Sequence, residues 1–62
     1  MKKNHYIVTF NNGRTVFASG FNKEEAEILA KAIMINNGLS YEIKCIKITN
    51  NLSDRADTDF VA

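Results

Sequence analysis

Residues 5–10, His-Tyr-Ile-Val-Thr-Phe, are β-branched and aromatic with no good helix former, and predict a first strand. Asn12-Gly13 follows. It is the strongest short hairpin signal, because a two-residue type I′ turn needs positive φ at both central positions. Thr15–Ser19 returns as the second strand. With that turn, Phe10 faces Thr15, Val8 faces Phe17 and Tyr6 faces Ser19. One sheet face then carries Tyr6, Val8, Phe10, Thr15 and Phe17, and the other Ile7, Thr9, Val16 and Ala18. Both are substantially apolar, more than a sheet with one wet face requires.

The spacing next predicts a helix from about Lys23 to Asn36 or Asn37. Asn22 stands at the N-cap, and Glu25 three residues on completes a variant of the capping box. Glu24 and Glu25 suit the positive end of the helix dipole. Phe21 is placed to staple onto Ala26. Gly38 offers the left-handed position that stops a helix, with Leu39 folding back on Met34. Ala26, Leu29, Ala30 and Ile33 form one apolar stripe, and Ile28, Ala32 and Ile35 a second beside it. Together they span an arc of roughly 220°, about twice what a surface helix needs. The polar side is narrow: Lys23, Glu24, Glu27 and Lys31.

A long third strand is expected over about Ser40–Thr49. Tyr41, Ile43 and Cys45 alternate with Glu42 and Lys44, and then Ile46 and Ile48 continue the apolar pattern in the other phase. A β-bulge near Cys45 or burial of both faces would account for the slip. Asn50-Asn51-Leu52-Ser53 breaks the strand. The expected fold is α+β: a β-β-α-β domain over residues 1–49, with three mainly antiparallel strands in order 2-1-3 and one helix on one face. Residues 50–62 are read as a flexible acidic tail.

Sixty-two residues make one domain at most, and a chain this short has a marginal core of its own. Small domains commonly add disulfides, metal or a second subunit. Cys45 is the sole cysteine and His5 the sole histidine, so neither an intrachain disulfide nor a Cys/His zinc site can form within one chain. A partner chain is the remaining staple. Met1-Lys2-Lys3 is basic, but Tyr6–Phe10 is too short for a secretory apolar core, and no run is long enough to span a bilayer. A cytoplasmic location is expected, with no membrane partner, and Asn51-Leu52-Ser53 is read as a chance glycosylation pattern. The formal charge is +1. Seven Lys/Arg stand against four Glu in residues 1–49, whereas Asp54, Asp57 and Asp59 oppose only Arg55 in the tail. That balance is too weak to argue nucleic-acid binding by itself. The bias toward Asn, Ile and Lys suits an AT-rich coding source, such as a low-GC bacterium or its phage.

Candidate chemistry is sparse. Cys45 lies in an apolar strand and reads as an inert packing thiol. His5 reads as a solvated edge residue. Glu24-Glu25 belong to a helix N-terminus, and the tail aspartates lack both a rigid scaffold and the glycine and glutamate of an EF-hand. No enzyme constellation, cofactor, metal site or small-molecule substrate is expected. Two functional readings stand. In the first, the surplus apolar surface makes this a non-enzymatic protein-interaction module, a homodimer or the partner of another protein, of the kind a phage or mobile element carries as an accessory protein. Its interface is then Ile28, Ala32 and Ile35 or the sheet residues Ile7, Val16 and Ile48. In the alternative, Tyr6, Phe10 and Phe17 form an exposed platform that, with Arg14 and Lys44, stacks single-stranded nucleic acid.

Overall fold

A computed structural model describes residues 2–49 and 51–62. Met1 of the basic start and Asn50 of the strand break lie outside the described residues. The elements are β1 (Asn4–Phe10), β2 (Thr15–Gly20), α1 (Lys23–Asn36), β3 (Ile43–Thr49), a short 3-10 turn (Leu52–Asp57) and β4 (Phe60–Val61). They form one four-stranded sheet in order β3-β1-β2-β4, with α1 lying over β2 and β1. The β1–β2 and β1–β3 pairs are antiparallel, and β4 runs parallel to β2.

The expected three strands are thus four, and the reason lies in residues 51–62. The segment read as a flexible tail is tied to the sheet by directed hydrogen bonds. Thr15 N and Oγ1 donate to Asp59 Oδ2 at 2.9 and 3.3 Å, Asp59 N donates to Thr15 O at 3.1 Å, and Ala62 N donates to Phe17 O at 2.8 Å. Thr49 Oγ1 donates to Asp54 Oδ2 at 2.5 Å, and Asn51 Oδ1 caps the 3-10 turn by accepting from Ser53 N. Two of the three tail aspartates therefore serve as acceptors that pin the segment, and Phe60 packs against the core.

The hairpin register also departs from expectation, by one residue. Tyr6 pairs with Ala18, Val8 with Val16 and Thr9 with Thr15. The loop has three residues rather than two. Phe10 O accepts from Gly13 N at 3.0 Å, and Phe10 N donates to Arg14 O at 2.9 Å. Only Gly13, at φ 87°, takes the left-handed conformation in the loop, whereas a type I′ turn would also require it of Asn12. Asn12 Oδ1 instead accepts from Arg14 N at 3.0 Å, the local side-chain bond that Asn commonly makes in turns. A one-residue slip sends side chains to the opposite face. Val16 and Ala18 therefore join Tyr6, Val8 and Phe10 under the helix, and Phe17 moves to the outer face.

Helix α1 has its expected bounds. Glu25 N donates to Asn22 Oδ1 at 2.9 Å, and Glu25 Oε1 accepts from Phe21 N at 3.0 Å, one residue before the cap itself. At the other end Gly38 has φ 68°. Gly38 N donates to Ile35 O and Leu39 N to Met34 O, which is the Schellman pattern. The helix buries Ala26, Ala30 and Met34 against the sheet. Small residues let it approach closely: a Cβ on Gly20 would lie 2.7 Å from Glu25 Cβ. Phe21 does not form a closed staple; it is half-exposed, with the Lys3 ammonium 5.7 Å from its ring centre. β3 carries the irregularity anticipated near Cys45. Thr9 pairs with Cys45 but Phe10 with Ile43, so Lys44 is the extra residue and Ile43, Ile46 and Ile48 all face the helix side.

Candidate interaction surface on the outer helix face

The inner and outer sides of α1 follow from 3.6-residue periodicity. Ala26, Ala30 and Met34 recur at i, i+4 and i+8 and face the sheet, which turns Ile28, Ala32 and Ile35 away from it. Ile28 is 68% exposed and Ile35 58%, and Ala32 between them is exposed as well. Leu29, expected on the inner stripe, is 44% exposed and widens this outer surface; the stripe needed only alanines and a flexible Met to reach the sheet. Glu27 and Lys31 border the core side of the helix as an i,i+4 ion pair at 2.9 Å. The result is three large aliphatic side chains and an alanine in one patch.

The other proposed interface residues do not form one surface. Val16 is fully buried under the helix, a consequence of the register slip. Ile7 pairs with Phe17 and Lys47 on the outer sheet face, whereas Ile48 pairs with Tyr6 on the helix side, where α1 leaves it 52% exposed.

The aromatic platform is likewise not assembled. Tyr6 is 4% exposed and Phe10 0%, both beneath the helix, and Phe17 is 2% exposed on the opposite face. Base stacking needs exposed ring faces, and these rings present none. Arg14 lies 3.7 Å from Asp59, and Lys44 is exposed at the bulge. Cys45, expected as a packed thiol, is exposed because the bulge puts it opposite Thr9 on the outer face.

Sequence reasoning missed a second arrangement, on the outer face of the sheet. His5 is not a solvated edge residue: its ring stacks on Phe17 with centroids 5.5 Å apart, and Nδ1 shares a 2.8 Å hydrogen bond with Ser19 Oγ. The C-terminal segment folds beside this pair, so that Leu52, Arg55, Val61 and Ala62 join His5, Phe17 and Ser19 around a cleft of about 210 Å³. The one available signal was the position of His5 and Ser19, which the true register makes direct cross-strand partners.

Among the described residues no three His, Cys, Asp or Glu side chains gather where a metal ion could be held, and no helix is long and apolar enough to cross a membrane. Comparison of the chain with family models, with curated proteins and with solved structures found no match.

Proposed function

We propose that this chain is a non-enzymatic interaction module that self-associates through the outer face of α1. The observation that carries this reading is the patch of Ile28, Leu29, Ala32 and Ile35, apolar, exposed and unused by the chain's own core. Contiguous apolar patches on small soluble domains commonly mark interaction sites. The pattern suits a second copy in particular. Ile28 and Ile35 are seven residues apart and flank Ala32 nearly symmetrically, so two antiparallel helices related by a two-fold axis near Ala32 would set Ile28 of each copy opposite Ile35 of the other. The small side chain at Ala32 allows close approach where the helices cross.

The test is molecular mass in solution against concentration, by sedimentation equilibrium. The parent is expected to dimerise. The double variant Ile28→Lys with Ile35→Lys should be a folded monomer, because four ammonium groups would meet at the seam. Mixing it with Ile28→Glu, Ile35→Glu should restore association. A parent that remains monomeric at hundreds of micromolar would refute self-association.

A further inference from the structure

The two edges of the sheet are finished differently. On the β2 edge the chain meets its own backbone groups: Asp59 N donates to Thr15 O and Ala62 N to Phe17 O. On the other edge β3 is the last strand in the order, paired with β1 alone. The hairpin bond from Phe10 N to Arg14 O sets which of its groups are left over. Opposed residues in an antiparallel pair alternate between bonded and non-bonded. Val8 and Tyr6 therefore bond β2, as Phe10 does, and Thr9, Ile7 and His5 bond their β3 partners Cys45, Lys47 and Thr49. Ile46 and Ile48 between them turn N–H and C=O to the open edge. Their side chains lie on the helix side, where α1 packs over β2 and β1 and leaves Ile48 52% exposed. On the same strand Lys44 and Lys47 are exposed, make no ion pair among the described residues, and have no acidic residue beside them within β3.

We infer that the β3 edge takes up an extended segment of another protein, an added antiparallel strand of alternating aliphatic and acidic residues. The main-chain groups of Ile46 and Ile48 recur at strand spacing, and an extended backbone meets them in turn. Antiparallel pairing is the more stable per residue. Opposed residues share a face of the sheet. The segment's aliphatic side chains thus lie beside Ile46 and Ile48, and its carboxylates come beside Lys47 on the outer face. Charge argues against a second copy in this place. Two β3 strands paired about Ile46 would set Ile48 opposite Lys44 and gather four lysines with no carboxylate among them. Edge lysines commonly repel other sheet edges; the same lysines attract a strand that brings the opposite charge. Lys44, the extra residue of the bulge, breaks the pattern at one end, so the docked stretch is short, residues 45–49, and its affinity modest. This edge is separate from the outer face of α1, and the inference does not rest on self-association there.

Amide chemical shifts of the isotope-labelled full chain, titrated with the end-capped peptide Thr-Val-Glu-Val-Asp-Val-Thr, test the inference. Saturable shifts are expected at Ile46, Lys47 and Ile48, with slowed amide exchange at Ile46 and Ile48. The same peptide with lysine in place of both acids should not bind. N-methylation of its three valines, whose N–H groups would face β3, should abolish binding, whereas N-methylation of the two acids should leave it. Lys44→Glu with Lys47→Glu should weaken binding of the acidic peptide by about tenfold, as attraction across the strands becomes repulsion, and should admit the lysine peptide. Unchanged β1 and β2 amide shifts report that this variant is folded; if it is not, the peptide arms on the parent decide. Absent or non-saturating shifts, equal binding of the lysine peptide, or undiminished binding of the valine-methylated peptide would each overturn the assignment. So would concentration-dependent shifts at Ile46 and Ile48 without peptide, which would give the edge to a second copy. Peptide binding should persist in the Ile28→Lys, Ile35→Lys variant, which separates failure at the β3 edge from failure of self-association.

Discussion

On the helix face of the sheet, Tyr6, Val8, Phe10, Val16 and Ala18 meet Ala26, Ala30 and Met34, all of them buried and apolar. On the outer face the cover is residues 51–62, none of which is itself buried. Yet that cover helps reduce Phe17 to 2% exposure. The first face is closed by non-directional burial, in which each side chain contributes through the area it removes from water. The second is closed by polar bonds at fixed points, Asp59 on Thr15 and Asp54 on Thr49, which hold a sparsely apolar segment in place. A short polar sequence can therefore become a structural layer if its acceptors coincide with unpaired donors on the sheet.

The largest break in this contrast should come from the helix face. Phe10→Ala should cost about 3–5 kcal/mol, comparable to the whole stability of a domain this small, and should abolish the cooperative denaturant transition monitored by circular dichroism. A loss below ~1 kcal/mol would deny the helix face its role as the core. Truncation after Asn51 comes next. It uncovers Phe17 and removes Phe60, and should lower the unfolding free energy by about 2–3 kcal/mol; an unmoved midpoint would mean that the outer face needs no cover.

Gly13→Val sharpens the comparison differently, because this turn decides which β2 residues reach which face. At φ 87° a β-branched residue is strained, and a loss of about 1–2 kcal/mol is expected in the thermal transition. An unaltered melting temperature would contradict the left-handed assignment at Gly13. The smallest effect belongs to a single pin. Asp59→Ala should cost about 1 kcal/mol, and amide exchange should quicken at Thr15 and Ala62 while β1 stays protected. Asp59→Asn, which keeps an acceptor, should retain most of that protection. Uniform quickening across the sheet would show that the two faces open together rather than separately.

The elements set by local signals were legible in the sequence. Asn22 with Glu25 marks the start of α1 and Gly38 its stop, because capping bonds join residues only a few positions apart. The apolar stripe Ile28, Ala32 and Ile35 was legible for the same reason: helical period alone places it opposite Ala26 and Ala30. The change of phase in β3 announced the bulge, though not that its extra residue is Lys44.

What the tertiary structure decided is long-range or degenerate in local signal. Asn12-Gly13 suits two hairpin loops, and the choice between them moved Val16 into the core and Phe17 out of it. The three-residue loop is the one that lets β2 give Val16 and Ala18 to the helix, so packing resolved what turn chemistry left open. The fourth strand depends on Asp59 reaching Thr15, forty-four positions away along the chain. The His5–Ser19 cleft depends in turn on that docking and on the resolved register. No periodicity or motif encodes such a pairing, because its bonds form only after the sheet exists to supply their partners.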